Sequence, residues 1–273
     1  MKKLFFVLSI IFLFTPVVFS YAAVPIKILL VPGHDKEIWG AQYGNVKEAA
    51  MNLAVASRIR TLLKKDNRFE IYITRNIEGY TKEFAEYFST KREEIISFKD
   101  NARAAMQNKI ASGNFIVKEN VLHVTVTQDT SVILYGINKW ASENKMDAVI
   151  HIHFNDYPRK TSWTKGKYKG FAVYIPDGEL ANWKESGQLA ANIFIQLKKK
   201  YITSTYEKEL GGLVPDQKLI ALGANGTLDA SVRSILIEYG YIYRFENSEM
   251  RHKSYDTMAG LTVAGIKNYF FVK

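Results

Sequence analysis

The chain has 273 residues, no cysteine and a formal net charge of +10 at pH 7. Without cysteine it cannot form disulfide bonds, carry a lipid on a cysteine or use a thiol nucleophile. Its length suits one large α/β domain with its own hydrophobic core. The positive charge favours polyanions as partners, although dispersed lysines that only maintain solubility explain it equally well.

The first residues follow the order of a secretory signal peptide. Two lysines precede an apolar run over residues 4–19, and small side chains lead up to Ala23. The run is shorter than the roughly 20 residues of a membrane-spanning helix, and Pro16 interrupts it. We therefore predict a signal peptide over residues 1–23 with cleavage near Ala22 or Ala23, no membrane span after cleavage, and export to the periplasm, the cell wall or the medium. Export makes nucleic acid an unexpected partner.

Strand and helix patterns alternate through the rest of the chain. Short apolar or alternating runs predict strands over residues 26–31, 69–74, 147–153, 169–175 and 234–238. Apolar side chains spaced by three or four predict helices over residues 49–63, 187–199 and 258–270. Strands that alternate with helices predict the α/β class, as a single domain with a mostly parallel twisted sheet and helices on both faces.

The connection between the second and third predicted strands is long. Thr90 and Glu93 form a capping box ahead of an apolar stripe, and this pattern predicts a helix. Alternation over residues 114–128 predicts a hairpin or edge strand, and residues 131–143 predict a further helix. We interpret residues 77–130 as an inserted helical and hairpin segment that covers either the sheet or a functional cleft.

Four side chains with metal-site chemistry lie at or near the carboxyl ends of predicted strands, where open α/β sheets gather functional groups. His34 follows the first strand, Glu48 begins the first helix, His153 ends the third strand and Glu238 ends the last one. Taken singly, a strand histidine is more often a hydrogen-bonded packing residue, and Glu48 suits a helix N-terminus. The four residues are predicted to converge at one edge of the sheet.

Glu238 is the most informative of the four. It ends an apolar run in the predicted sheet interior, where an ionised carboxylate is costly unless it is paired or bound to a metal. A salt bridge to Arg233 or Arg244 is the alternative explanation. The position of Glu238 therefore indicates either a buried ion pair or a functional site.

The other histidines have weaker claims to a metal. His151 lies two residues before His153 and faces the same side of the strand, so it is either a rival ligand or a partner of a ligand. His153 is favoured because it lies nearer the strand end, where a site can open. His123 and His252 are predicted to be ordinary surface residues.

Six segments, taken together and in order, resemble the zinc-dependent N-acetylmuramoyl-L-alanine amidases, which are peptidoglycan hydrolases. The segments are Val-Pro-Gly-His (31–34), Lys-Glu-Ala-Ala-Met-Asn-Leu (47–53), Thr-Arg (74–75), Ile-His-Phe-Asn (152–155), Gly-Phe-Ala-Val-Tyr (170–174) and Ile-Leu-Ile-Glu-Tyr-Gly-Tyr (235–241). The resemblance spans nearly all of the mature chain. It implies that residues 24–273 form one zinc amidase catalytic domain.

The resemblance also implies a role for each candidate residue. One Zn²⁺ ion is bound by His34, Glu48 and His153, and Glu238 is the catalytic carboxylate. Two neutral imidazoles and one carboxylate leave zinc with net positive charge and an open position, as in catalytic sites. Glu238 is expected to accept a proton from water and return it to the departing amine. The implied reaction is hydrolysis of the amide bond between N-acetylmuramic acid and L-alanine in peptidoglycan.

The sequence departs from the family at several positions. Asp35 and Lys36 stand where glycines usually follow the first histidine. His151 replaces a usual serine, and Ala172 replaces a common glutamate. None of these positions is an implied ligand, so the implied metal site is complete.

The long insertion raises a hypothesis about regulation. Some relatives carry a helix there that blocks the zinc until a protein activator displaces it. Residues 90–113 are the candidate helix in this chain, with Glu86, Glu93 or Glu94 reaching the metal. Peptidoglycan is then the substrate, and a protein activator is a second expected partner.

Two other kinds of function compete with this hypothesis. The nearest is a different zinc amidohydrolase or carboxypeptidase that uses the same ligands on another peptide. The other is a catalytically silent module that binds the cell wall through its charge. A serine hydrolase is disfavoured because the chain has no Gly-x-Ser-x-Gly motif.

Overall fold

The computed structural model describes residues 24–118, 126–217 and 226–272. Its strands are β1 (Ile26–Pro32), β2 (Gln42–Tyr43), β3 (Val46–Lys47), β4 (Phe69–Ile73), β5 (Ala148–Asn155), β6 (Ala172–Pro176), β7 (Leu213–Asp216) and β8 (Arg233–Tyr241). Its helices are α1 (Glu48–Leu63), α2 (Lys82–Thr90), α3 (Arg92–Ala111), α4 (Gln128–Glu143), α5 (Trp183–Leu197) and α6 (Ser248–Phe271). The predicted strands and helices in these ranges are present with shifted ends, except for the hairpin or edge strand predicted over residues 114–128. The predicted signal peptide lies outside the described residues.

The main sheet is mostly parallel, as predicted. Within the described residues it has six strands in the order β4-β1-β5-β8-β6-β7. The first four run parallel to one another, whereas β6 runs antiparallel to β8 and pairs in parallel with β7. Residues 156–171, which connect β5 to β6 and are all described, contain no helix. The connection from β5 passes over the position of β8 without a helical crossover, which is compatible with β6 running in the opposite direction to β5.

Helices cover both faces of this sheet. Alternate residues of a strand point to opposite faces, so Ile28 and Ile150 join one core cluster while Leu29 and Val149 join another. The first cluster lies under α1, α5 and α6, and the second lies under α2, α3 and α4. We call these the α1 face and the α4 face. The continuous apolar strands thus follow from burial on both sides.

The inserted segment begins differently from the prediction. The capping box at Thr90 and Glu93 is wrong, because the hydroxyl of Thr90 donates to the carbonyl of Glu86 at the end of α2, and Lys91 precedes α3 without a capping bond. Helix α3 packs on α4, where the rings of Phe98 and Tyr135 meet edge to face. It therefore reaches the sheet through α4.

Two other expectations concern the insertion and the membrane. The predicted hairpin or edge strand is not observed where it can be checked, because residues 114–118 and 126–127 form no strand, while residues 119–125 lie outside the described residues. None of the helices in the described ranges combines the length and the apolarity that crossing a bilayer requires.

Candidate active site

Three side chains converge at the carboxyl edge of β1 and β5. Nε2 of His34 lies 3.2 Å from Oε2 of Glu48, and Nδ1 of His153 lies 3.0 Å from Oε1 of Glu48. One ligand atom from each residue lies within 4.8 Å of the others. Ligand atoms of a tetrahedral zinc site stand about 3.3–3.5 Å apart, since each is about 2.0–2.2 Å from the metal. The donor set and its spacing therefore fit a small divalent metal ion.

Hydrogen bonds from neighbouring groups keep the buried side chain of Glu48 ionised. It is 4% exposed, its Oε2 accepts a hydrogen bond from the backbone N–H of Ala41 at 2.9 Å, and its Oε1 accepts one from Nδ2 of Asn52 at 3.1 Å. Burial raises the pKa of Glu48, but hydrogen bonds with His153 and His34 outweigh it and keep that pKa well below its usual value. A charged, fixed carboxylate is therefore ready to act as a ligand.

Buried Arg75 stabilises the loop that carries His34 through hydrogen bonds to its backbone. His34 has a φ of 62°, a left-handed conformation that costs a side-chain-bearing residue about 1–2 kcal/mol. The carbonyl of Gly33 accepts hydrogen bonds from Nδ2 of Asn52 and Nη2 of Arg75, each at 2.9 Å. Nη2 of Arg75 also donates to the carbonyl of Ala49 in α1. Arg75 and Asn52 thus support the loop of His34 and are not members of the three-residue group.

Gly33 leaves room for the ring of His153. A Cβ atom added at Gly33 would lie 2.1 Å from that imidazole. We expect Gly33→Ala to displace the ring, to weaken zinc binding about 10–100-fold as loss of a supporting contact does, and to destabilise the fold by about 1–3 kcal/mol. Zinc titration and denaturant unfolding measure both effects.

The matched control for this substitution is Gly178→Ala. A Cβ atom at Gly178 would have no neighbour within 4 Å. Zinc affinity and the free energy of unfolding should both stay close to those of the wild type. Equal zinc affinities in the two variants would show that the contact between Gly33 and His153 does not position the ligand.

Glu238 lies beside the three-residue group and outside it. It pairs in register with His153 on the neighbouring strand, and it is 7% exposed. Its Oε2 has no hydrogen-bond partner among the described residues. Burial raises the pKa of Glu238 well above its usual value, and the negative charges of Glu48 and Glu209 raise it further. Glu238 is thus a buried carboxyl that holds a proton readily.

The salt-bridge explanation for Glu238 is wrong. The guanidinium of Arg233 lies near Glu185 and donates to the hydroxyl of Tyr269. The guanidinium of Arg244 donates to backbone carbonyls, including that of Tyr168. Neither arginine pairs with Glu238, so its burial is unexplained by an ion pair within the described residues.

One cavity contains all four candidate residues. Its volume is about 830 Å³, and its walls include His34, Glu48, His153 and Glu238. Helix α4 forms part of the wall on the other side, through residues between Asp129 and Ile137. The predicted convergence at one edge of the sheet is therefore observed. The inserted segment, residues 77–130, contributes to the cleft through Tyr80, Val126, Asp129 and Thr130.

The glutamates proposed to block the metal lie elsewhere. Glu86, Glu93 and Glu94 are exposed on α2 and α3, and none of them lines the cavity. Glu94 pairs with Lys91 on its own helix at 2.7 Å, and Glu86 approaches Lys82. These three side chains thus do not reach the candidate metal site in the described structure.

The remaining histidines differ in environment. His151 is 1% exposed, lies on the same sheet face as His153 and lines the cavity, but it is not part of the three-residue group. His252 is exposed on α6, where its Nδ1 lies 2.7 Å from the carbonyl oxygen of Ser248, as expected for a surface residue. His123 lies outside the described residues.

The fold and the site together define a class of protein: a mostly parallel α/β domain with a His–Glu–His group, able to hold a divalent metal ion, at the carboxyl edge of its sheet. A family model described as N-acetylmuramoyl-L-alanine amidase matches residues 28–268. The chain belongs to the N-acetylmuramoyl-L-alanine amidase family, which confirms the resemblance seen in the motifs. A search of curated protein sequences gives no significant match.

Solved amidase structures share this fold at low sequence identity. The CwlD amidase from Clostridioides difficile, solved in complex with the GerS lipoprotein, is 18% identical with a TM-score of 0.60, over 91% of this chain and 100% of that chain. An N-acetylmuramoyl-L-alanine amidase from Clostridium difficile 630 is 14% identical with a TM-score of 0.56, over 91% and 98%. Ami1 from Mycobacterium smegmatis is 17% identical with a TM-score of 0.55, over 90% and 97%.

Proposed function

We propose that this chain hydrolyses the amide bond between N-acetylmuramic acid and L-alanine in peptidoglycan, with one Zn²⁺ ion bound by His34, Glu48 and His153. The observation that carries the proposal is that these ligands and Glu238 line one cavity. Family membership supports the choice of bond. The protein is thus proposed to be a zinc-dependent hydrolase of linear amide bonds.

The side chains of the protein have separate tasks in this reaction. When bound, Zn²⁺ supplies Lewis acidity, which makes water more acidic and a carbonyl carbon more electrophilic. Glu238 accepts the proton of the attacking water and transfers it to the departing nitrogen. Its raised pKa suits the first transfer, since a more basic carboxylate accepts the proton of water more readily and holds it until the nitrogen departs. Ala41 and Asn52 hold Glu48 in place through hydrogen bonds.

Export and a protein partner belong to the same proposal. The N-terminal sequence pattern supports secretion, and an exported enzyme would meet peptidoglycan directly. One structural neighbour, the CwlD amidase, was solved in complex with a lipoprotein. We propose that a protein activator acts at the cavity wall formed by α4, because Glu86, Glu93 and Glu94 do not line the cavity.

Analysis of digested peptidoglycan tests the proposed reaction. Purified protein with zinc should release peptides that begin with a free L-alanine amine and leave glycan with intact lactyl groups, as seen by mass spectrometry. A chelator should stop the release, and added zinc should restore it. Release of free carboxyl-terminal amino acids would indicate a carboxypeptidase. Binding to peptidoglycan that survives chelation, with no soluble product, would indicate a silent wall-binding module.

A further inference from the structure

A second buried carboxylate lies next to the cavity and has no part in the proposed reaction. Glu209 ends a short 3₁₀ helix, and only 2% of the residue is exposed. Its Oε1 accepts hydrogen bonds from Nδ2 of Asn155 and from the hydroxyl of Tyr174, both at 2.6 Å, and its Oε2 accepts one from the hydroxyl of Tyr241 at 3.0 Å. The carboxylate of Glu209 thus accepts all three of these hydrogen bonds.

Glu209 binds side chains at the ends of the two strands that carry the site. His153 in β5 pairs with Glu238 in β8, but the register then shifts, and Asn155 pairs with Tyr241. Such irregularities turn side chains in new directions and are frequent beside active sites. As a result Asn155 lines the same cavity as His153 and Glu238, while its amide group contacts Glu209.

The charge of Glu209 determines which way the amide of Asn155 is turned. A carboxylate cannot donate, so the NH₂ group of Asn155 must face Glu209. The carbonyl oxygen Oδ1 of the same amide then points away from Glu209. No hydrogen bond to this Oδ1 occurs among the described residues. Asn155 is half-buried and lines the cavity two residues after a candidate ligand, so its Oδ1 is an acceptor beside the cavity.

We propose that Glu209 is a positioning residue that holds Oδ1 of Asn155 toward the cavity, where it accepts a hydrogen bond from a substrate amide N–H next to the scissile bond. This inference rests on the proposed function, because that function supplies a peptide as substrate. A peptide presents N–H groups that need an acceptor once water is displaced. Glu209 thereby determines that Asn155 presents an acceptor, and not a donor, to the substrate, although Glu209 does not contact the substrate.

Removal of the charge at Glu209 should reverse this polarity. In Glu209→Gln the new NH₂ group can donate to Oδ1 of Asn155, so the asparagine would present its own NH₂ group to the substrate. We expect the affinity for N-acetylmuramoyl-L-alanyl-D-isoglutamine, measured by calorimetry in chelated protein, to fall about tenfold or more. The value of kcat/KM on soluble muropeptides should fall at least as much in zinc-loaded protein.

Glu207→Gln is the matched control. Glu207 lies in the same short helix but is exposed, with its carboxylate near Lys167 and the hydroxyl of Tyr168. This variant makes the same chemical change without a contact to Asn155. Affinity and kcat/KM should stay within about twofold of the wild type, and all variants should unfold cooperatively.

An exchange of donor and acceptor separates positioning from a merely structural role. Asn155→Asp alone should be the worst variant, since two carboxylates would face each other at hydrogen-bond distance. In the double variant Asn155→Asp with Glu209→Gln, the glutamine donates to the aspartate, and the second aspartate oxygen again faces the cavity as an acceptor. We expect this double variant to recover most of the affinity lost in Asn155→Asp, which is a strongly non-additive result.

Three outcomes would overturn the inference. They are equal affinities in the wild type and Glu209→Gln, no measurable affinity in the chelated wild type, and no recovery in the double variant. Failure of the proposed function is distinguishable, because the zinc-loaded wild type would then release no L-alanyl peptides whatever the affinities are. An active wild type with an equally active Glu209→Gln would instead refute the inference alone.

Discussion

The Glu238→Gln protein is expected to lose amide hydrolysis while it keeps its metal and its fold. Glutamine has the size of glutamate but cannot accept or return the proton. Loss of a general acid–base group typically lowers the rate about 10²–10⁴-fold. Release of L-alanyl peptides measures the rate, and elemental analysis measures zinc. Because Glu238 lies outside the three-residue group, its removal should leave the zinc content at one ion per chain.

The same substitution should make the metal-free protein more stable. Burial and two neighbouring carboxylates raise the folded-state pKa of Glu238 above its unfolded value, so the folded state holds its proton longer. Folding stability therefore falls as pH rises from the unfolded pKa of about 4.5 toward the folded one, by at most about 1.4 kcal/mol per pH unit. The advantage of Glu238→Gln should be absent at acidic pH and grow above it.

Denaturant unfolding in chelator across this pH range measures the advantage. Glu246→Gln, at an exposed carboxylate that pairs with Lys165, is the control and should show little change with pH. An active Glu238→Gln enzyme would contradict the assigned role. A stability difference that shrinks as pH rises would contradict the raised pKa.

The Glu48→Gln protein should fail to retain zinc. Glu48 supplies the only negative charge of the three-residue group, and it lies within hydrogen-bond distance of both imidazoles. A neutral amide is a poor zinc ligand. In glutamine one of the two carboxylate oxygens is replaced by an NH₂ group, which cannot bind a metal ion. We expect zinc affinity to fall more than the about 10–100-fold that follows loss of a supporting residue, and hydrolysis to fall with it.

Zinc competition with a chromophoric chelator measures this affinity. The control is Asp35→Asn, which neutralises a half-buried carboxylate next to His34 whose oxygen accepts from the backbone N–H groups of Glu37 and Ile38. An asparagine oxygen can accept the same bonds, so this variant should retain zinc. Unchanged zinc affinity in Glu48→Gln would remove Glu48 from the ligand set and with it the proposed reaction.

The parts of the fold that the sequence predicts are those with a continuous burial signal. Strands β1, β5 and β8 are apolar on both faces because helices cover both sides of the sheet. Strand β7 was not predicted, since its four residues include Pro215 and Asp216 and show no alternation. Helix α2 was not predicted, because only Phe84 and Phe88 of its nine residues are buried. Helix α6 begins ten residues before its predicted start, where the side chain of Asn247 caps a polar first turn.

The candidate site also has features that the sequence predicts and features that it does not. Strand ends and ordered motifs predict His34, Glu48, His153 and Glu238, since topology alone brings carboxyl ends together. The contact between Asn155 and Glu209 spans 54 residues and depends on a register shift that no local pattern reveals. The left-handed backbone of His34 is likewise maintained by distant groups, so sequence patterns cannot predict it.

Because α4 forms a separate part of the cavity wall, substitutions that change the shape of the cavity can occur apart from substitutions in the candidate site. The four candidate residues lie in α1, β5 and β8 or on the loop directly after β1, whereas α4, which contributes another part of the cavity wall, follows a long insertion. Side chains such as Ile133 and Ile137 can therefore vary in size without disturbing metal or proton chemistry. Substitutions on this helix are therefore expected to change the preference among stem peptides while the residues of the candidate site stay the same.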